Sequence, residues 1–394
     1  MTADTVTRVT KQSWGNRLGG SIKGIGAGFI IFLIAFPILF WNEGRSVKRH
    51  KTLKEGAGVV LPVGPDMVDP ANDQRLIHVS GQMVTDEFLS DPEFPGVSVN
   101  ALKLRRKVQM YQWIESSKSE TKKKVGGGTE TVTTYSYAMG WSDRLIDHTR
   151  FQEPAGHENP QAMHIPGMEF QASHVTLGAF VVPPNIVGGL SYRDPYRVPA
   201  DARSESFMSH VTGGLIYVGY DPAEPRIGDM KVEFDTVLPG LFSLVAKQTA
   251  NTFAPYYAKA GGSILLVKPG FHDAESMFQA AQSANRLMTW ILRLVGFLMM
   301  LFGLKMIFAP LGVLTDVLPF LGNIMRVGTG FVAGVLAFVL TLITISIAWL
   351  FYRPVLGVTL LVIAGVGIYV LVKKLKARKA AVATPPAPAA PAAG

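Results

Sequence analysis

The sequence predicts an integral membrane α-helical protein with four spans and a strand-rich α+β extramembrane domain inserted between spans 1 and 2. The chain has 394 residues, 48% of them hydrophobic, and a mean hydropathy of +0.24, which is too apolar for an ordinary soluble protein. The apolar excess is concentrated at the two ends of the chain. The middle consists of short β-branched runs separated by Gly, Pro and Asp, a pattern typical of strands and turns.

The first predicted span is the uncharged run 24–42. A cleaved signal peptide would end at a small-residue site, whereas this run ends in Phe-Trp-Asn, so we predict a retained helix. Gly20, Gly24 and Gly28 recur every four residues, which places them on one stripe where another helix backbone packs closely; simple tolerance of glycine is the alternative.

Three further spans are expected in the apolar segment near the carboxyl end, each long enough to cross roughly 30 Å of hydrocarbon. Pro310 lies between Lys305 and Asp316 and disfavours a straight helix that joins them. The residues between spans 2 and 3 then form a cytoplasmic connector that is interfacial or re-entrant. The predicted spans and connector are 288–309, 310–326 (connector), 327–352 and 354–372.

Basic residues flank these spans. The tails 1–23 and 373–394 are basic, which places both in the cytoplasm and the domain 43–285 on the other side of the membrane. The second tail ends in a Pro/Ala-rich segment that we expect to be disordered. Four further cations next to the spans are candidates for contact with lipid headgroups: Arg45, Lys48, Arg49 and Arg353.

Strands are predicted throughout the middle domain. A hairpin tip is expected between Trp113 and Tyr135; its lysines, Lys118 and Lys122–Lys124, contact either solvent or anionic lipid. The predicted strands are Arg75–Val79, Ala101–Ile114, Thr131–Tyr137, Gly214–Tyr220, Met230–Val237, Leu241–Lys247 and Ser263–Val267.

No motif in the sequence indicates catalysis. The chain has no cysteine, which excludes disulfides and thiolate chemistry, and we expect no cofactor. The net charge of +9 lies largely beside apolar runs, so we predict membrane lipids and not nucleic acid as partners. Four histidines, His148, His157, His164 and His174, fall in proline-rich loops without metal-ligand spacing; we predict loop packing there, with a metal site as the alternative.

Polar residues inside or beside the predicted spans are candidates for function, since charges are costly in hydrocarbon. Lys305 lies within span 2 and either snorkels to the headgroups or faces a cavity. Asp316 is the carboxylate available to pair with Lys305, Arg326 or a neighbouring subunit. Thr341 and Thr344 bond either their own helix or another one. These four residues would line the cavity of a lipid-handling protein or channel.

Five blocks in the same order resemble the transmembrane protein 43 family, also called LUMA. They are "FWNEGRSVKR" (40–49), "VNALKLRRKVQMYQWIES" (99–116), "GHENPQAM" (156–163), "IGDMKVEF" (227–234) and "AWLFYRPVLG" (348–357). The resemblance covers roughly nine tenths of the chain.

The resemblance implies four membrane helices, a large lumenal domain and no established enzymatic activity. In animals the family is associated with the endoplasmic reticulum and inner nuclear membrane, with self-association, and with scaffolding of lamins and emerin. The absence of cysteine and the Pro/Ala-rich tail are more typical of a bacterial member, for which that partner list does not carry over and the domain would be periplasmic. We therefore expect a non-enzymatic, self-associating scaffold of envelope proteins or lipids, with the lipid-handling protein or channel as the alternative.

Overall fold

The structure, a computed structural model of the chain, describes residues 4–355 and 358–359. The chain forms two compact units. The domain unit comprises residues up to Ser21, Lys48–Asn285 and Leu311–Met325, and the helix unit comprises Ile22–Val47, Arg286–Pro310 and the described residues from Arg326 onward. The helices are α1 (Trp14–Val59), α2 (Pro184–Gly188), α3 (Ala274–Leu314) and α4 (Pro319–Tyr352), with short 3-10 turns at Pro70–Asn72, His148–Arg150 and Thr315–Val317.

Strands make up most of the domain unit, as the sequence predicts. Every predicted strand segment overlaps an observed strand, and Met230–Val237 agrees at both ends. The strands are β1 (Asp4–Gln12), β2 (Leu61–Val63), β3 (Leu76–Val84), β4 (Phe88–Ser90), β5 (Ser98–Asn100), β6 (Lys103–Lys123), β7 (Thr129–Ser142), β8 (Met168–Gln171), β9 (Val175–Leu177), β10 (Phe180–Val182), β11 (Asp194–Tyr196), β12 (Ser209–Thr212), β13 (Leu215–Val218), β14 (Met230–Val237), β15 (Gly240–Thr249), β16 (Thr252–Ala254), β17 (Tyr256–Tyr257), β18 (Ser263–Ile264) and β19 (Leu266–Pro269).

Two sheets share one hydrophobic core. The first has the strand order β1-β7-β6-β14-β13-β12, with β8 on β6 and β11 on β14. The second has the order β19-β15-β16-β10-β9-β3-β2, and because β3 also pairs with β15, five of its strands form a closed ring. Buried side chains from both sheets, such as Phe234 from the first and Phe180 from the second, belong to the same cluster.

The hairpin of β6 and β7 carries the tip predicted from sequence. The two strands pair from Met110↔Ser142 to Lys123↔Thr129, which leaves residues 124–128 as the turn. The amino-terminal strand β1 adds to this hairpin by pairing antiparallel with β7, from Asp4↔Tyr137 to Gln12↔Thr129. No strand was predicted in this tail. Strand β1 is exposed along almost its whole length and lacks an apolar alternation, so the local sequence carries no strand signal there.

Helix α1 is much longer than the predicted span 24–42. It begins at Trp14, where the Ser13 hydroxyl accepts a hydrogen bond from the Asn16 amide at 3.3 Å. It continues past the apolar run to Val59, because Leu53 is fully buried in a second cluster of the domain unit with Leu76 and Phe278. The uncharged run therefore marks the most apolar part of α1 and not its ends.

The second predicted span also differs from the structure. Helix α3 starts after the cap Asp273 and continues through Pro310 to Leu314, so it extends beyond the predicted span 288–309 at both ends. A proline inside a helix removes one backbone hydrogen bond, which long apolar helices tolerate. The predicted connector 310–326 becomes the end of α3, the turn Thr315–Val317 and the first turns of α4.

Three helices of the described chain are long and apolar enough to cross a membrane: Trp14–Val59, Ala274–Val317 and Phe320–Tyr352. They correspond to predicted spans 1, 2 and 3. Most of the fourth predicted span, 354–372, and the tail 373–394 lie outside the described residues. The four-span architecture therefore stays a prediction.

Candidate functional site

A buried ion pair joins three helices within the helix unit. Glu43 on α1 has a fully buried side chain, and its two oxygens accept hydrogen bonds from Arg293 on α3 at 2.6 and 2.9 Å. The indole N–H of Trp349 on α4 donates to the same carboxylate at 2.8 Å. Two-pronged Arg–carboxylate pairs are among the stronger hydrogen-bonded contacts, so this carboxylate fixes the relative positions of the three helices.

Further polar side chains extend this junction along α1 and α3. The Asn42 amide donates to the Thr289 carbonyl at 3.0 Å, and the Thr289 hydroxyl donates to Ser46 Oγ at 2.9 Å. Arg45 donates to Asn42 Oδ1 and to Thr289 Oγ1, both at 3.2 Å. Asn42, Ser46 and Thr289 are buried. We call these residues together with Glu43, Arg293 and Trp349 the helix junction.

Glu43 and Arg293 were not among the residues singled out from the sequence. The missed signal is their position: Glu43 follows the first apolar run at its carboxyl end, and Arg293 precedes the second at its amino end. Adjacent antiparallel spans bring such ends together, so opposite charges there predict a pair.

Asp316 is the centre of a second polar cluster, which lies in the domain unit. Its carboxylate is fully buried, 2.6 Å from the Arg17 guanidinium and 3.3 Å from the Lys123 ammonium. Lys123 also donates to Asn323 Oδ1. Asp316 was predicted to be an available carboxylate near the spans, and these two partners were not among those that we named.

Backbone contacts tie the same three segments together. Trp14 Nε1 donates to the Val313 carbonyl at 2.8 Å, Gly126 N donates to the Val317 carbonyl at 3.1 Å, and Arg17 donates to the Gly127 carbonyl. A side chain at Gly127 would overlap Trp14, because its Cβ would lie 2.3 Å from the ring. We call this set of contacts the tip junction, since it holds the hairpin tip against the start of α1 and the turn between α3 and α4.

The tip junction bears on the expected membrane sides. Residues 1–23 and 310–326 were expected in the cytoplasm, and the hairpin tip was grouped with the domain on the opposite side. The structure brings all three segments into direct contact. The hairpin tip therefore cannot lie on the opposite side of the membrane from residues 1–23 and 310–326.

The other polar residues predicted within spans have separate surroundings. The Lys305 side chain is exposed on the surface of the helix unit. The Thr344 hydroxyl donates to the Leu340 carbonyl of its own helix at 2.7 Å, and the Thr341 hydroxyl lies 3.4 Å from the Met300 sulfur on α3. Thr341 therefore bridges two helices, whereas the hydrogen bond of the Thr344 hydroxyl lies within its own helix.

The glycine stripe is used at one of its three positions within the described chain. At Gly28 the α1 and α3 backbones approach so closely that an added Cβ would lie 2.8 Å from the Gly303 carbonyl oxygen. At Gly20 and Gly24, no described atom lies within 4 Å of an added Cβ. The stripe thus packs intramolecularly at Gly28 and is open at the other two positions.

The four candidate headgroup cations have protein contacts. Arg45 belongs to the helix junction. Arg49 donates to the Ser263 carbonyl at 2.6 Å, and the end of the Lys48 side chain lies beside Gly261. The Arg353 guanidinium lies 5.9 Å from the centre of the Trp349 ring. Arg49 and Lys48 therefore contact the domain around Gly261–Ser263.

The histidine-rich loops pack against the hairpin. His157 is buried, stacks on Tyr137 with ring centres 3.9 Å apart, and lies edge-on to Trp113. Its nitrogens lie 2.9 Å from the Glu153 carbonyl and 3.1 Å from Asp4 on β1. Burial and the hydrogen bond to Glu115 raise the pKa of Tyr137 to about 12, so the Tyr137 hydroxyl stays protonated and remains a hydrogen-bond donor.

Within the described residues no three His, Asp or Glu side chains form a group able to hold a metal.

The fold and the two junctions define a multispan membrane protein that carries a strand-rich domain between its first two apolar helices. A family model described as Transmembrane protein 43 matches residues 110–354. The chain belongs to the transmembrane protein 43 family.

Relatives of this name align over nearly the whole chain. The Mus musculus protein is 31% identical over 391 residues, which cover 95% of this chain and 96% of the relative. The Homo sapiens protein is 32% identical over 92% of this chain and 93% of its own, and the Drosophila melanogaster homolog is 29% identical over 87% and 92%. No solved structure gives a significant match.

Proposed function

We propose that this protein is a non-enzymatic membrane scaffold that self-associates and organises envelope proteins or lipids. The observation that carries the proposal is the open part of the glycine stripe: Gly24 lies on an apolar helix, one turn from the close crossing at Gly28, with no described atom within 4 Å of its Cβ position. Small residues on a membrane helix allow a second backbone to approach closely. The occupant that we propose is α1 of a second copy.

The helix junction supports this role. Its polar side chains bond one another, which fixes the three helices and keeps the glycine face of α1 in a defined orientation. The domain unit has a large hydrophobic core of its own, as a folded interaction module requires. If the cell is bacterial, we place the helices in the cytoplasmic membrane and the domain, apart from the hairpin tip, in the periplasm.

Gly24→Leu is expected to weaken self-association about tenfold, because the leucine side chain prevents close approach of the second helix. The measurement is native mass in lipid nanodiscs at several protein-to-disc ratios. Gly26→Leu is the matched control: Gly26 has equally open surroundings but lies on the opposite face of α1. Equal oligomer mass for both variants would contradict the proposal.

The alternative, a lipid-handling protein or channel, is favoured by Lys305, a charged and exposed side chain within the apolar helix α3. If Lys305 holds an acidic headgroup, Lys305→Met removes the positive charge at the same side-chain length, and co-purified anionic lipid decreases severalfold. The measurement is the lipid composition released from the purified protein, with Lys259→Met, the same change at an exposed domain lysine, as the control. Unchanged retention would remove the main support for this alternative.

A further inference from the structure

The tip of the β6–β7 hairpin combines an exposed apolar residue with exposed cations. Val125 at the apex is 87% exposed. The two lysines just before it on the same arm of the hairpin, Lys122 and Lys124, also have exposed side chains, whereas Lys123 turns inward to Asp316. An exposed apolar apex next to lysines is the side-chain pattern of a loop that enters a lipid interface.

The tip junction fixes this apex beside the ends of two candidate membrane helices. Gly126 is bonded to Val317, which ends one apolar segment, and the next begins at Phe320. Leu318 and Phe320 are 55% and 72% exposed on the same connector. The residues that follow the tip contact therefore enter the apolar segment of α4, which places the apex at the membrane boundary.

The charge around the apex is positive. Lys124 and Lys11 both lie near Glu130, at 2.6 and 3.9 Å, and the hydrogen bond from Lys124 lowers the pKa of that carboxylate. Arg17 and Lys123 share Asp316. None of the ion pairs among the described residues involves Lys122. Around the apex, lysine and arginine side chains therefore outnumber carboxylates, so the surface of the hairpin tip attracts anions.

We propose that the hairpin tip is a lipid-contacting surface that docks on an anionic bilayer. Val125 enters the boundary between headgroups and acyl chains, and Lys122 and Lys124 contact the lipid phosphates. An acidic protein would match the lysines but not the adjacent exposed Val125, Leu318 and Phe320, which is why the bilayer is the favoured occupant. Because Gly127 is bonded to Arg17, the tip docks on the side of the membrane that holds the amino-terminal segment.

The experiment uses the full-length protein, whose lack of cysteine allows labelling at a single introduced site. Val125→Cys is labelled with an environment-sensitive fluorophore in nanodiscs of phosphatidylcholine with or without phosphatidylglycerol. We expect a blue-shifted emission in the anionic discs, and quenching by lipids that carry a quencher near the headgroup. Met67→Cys is the control, since Met67 is an apolar domain residue that is 74% exposed. An emission at position 125 that matches position 67 in every lipid would overturn the proposal.

A charge variant tests the role of the lysines. Lys122→Glu in the Val125→Cys background is expected to reverse most of the anionic-lipid shift, whereas Lys259→Glu, the same change at an exposed domain lysine, leaves it unchanged. If Lys122→Glu does not fold, raising the salt concentration on the unaltered tip serves instead and is expected to reduce the shift. If neither Lys122→Glu nor added salt changes the emission shift, the proposed contact of the lysines with lipid phosphates is overturned.

The membrane side of the tip is tested in sealed vesicles. An impermeant thiol reagent is expected to label Val9→Cys and Val125→Cys from the same side. Labelling of the two positions from opposite sides would overturn the placement of the tip with the amino-terminal segment.

Discussion

Glu43→Ala is expected to lower the unfolding free energy of the protein by about 3–5 kcal/mol, the largest effect of any substitution proposed here. The change leaves the Arg293 guanidinium, only 15% exposed, without its carboxylate, and it removes the acceptor of the Trp349 indole. An unpaired buried charge costs far more than the pair itself contributes. The measurement is unfolding in mixed micelles with increasing SDS, followed by helical circular dichroism.

The matched controls separate the unpaired charge from the lost hydrogen bonds. Trp349→Phe removes a single donor and keeps an aromatic ring at this position, so it should cost only about 1 kcal/mol. The double variant Glu43→Gln/Arg293→Met removes both charges and is expected to recover much of the loss. A double variant as unstable as Glu43→Ala would show that the charges themselves do not control the stability of the helix junction.

Gly28→Leu is expected to destabilise the helix unit by about 3 kcal/mol, at the upper end of the range for overpacked sites. Even the first side-chain atom at this position would lie 2.7 Å from Met306 Cβ and 2.8 Å from the Gly303 carbonyl oxygen. The carbonyl belongs to the α3 backbone, so a whole helix has to move. The same SDS unfolding experiment measures the loss.

Gly26→Leu provides the control on the same helix, since no described atom lies within 4 Å of its Cβ position. It should leave the unfolding free energy within about 0.5 kcal/mol of the parent protein. Equal stability of the two variants would contradict the close crossing of α1 and α3. Gly28→Leu thus tests packing inside one chain, whereas Gly24→Leu tests the proposed self-association.

Local sequence patterns predict much of the secondary structure of this protein. Apolar runs predicted where α1, α3 and α4 lie, and alternating β-branched runs predicted strands such as Met230–Val237 at their observed positions. Local patterns did not predict the secondary structure correctly where contacts with distant parts of the chain determine it. The exposed strand β1 exists because β7 pairs with it along its whole length, and α3 continues through Pro310 although proline disfavours helix interiors.

The sequence by itself determined the class of this protein and its division into apolar helices and a strand-rich domain, because hydrophobic periodicity and span length are local properties. Only the tertiary structure decided which charges meet. Glu43 pairs with an arginine 250 residues away, and Asp316 with an arginine 299 residues away. An ion pair depends on the distance between its atoms, and that distance is set by how the helices and the hairpin pack.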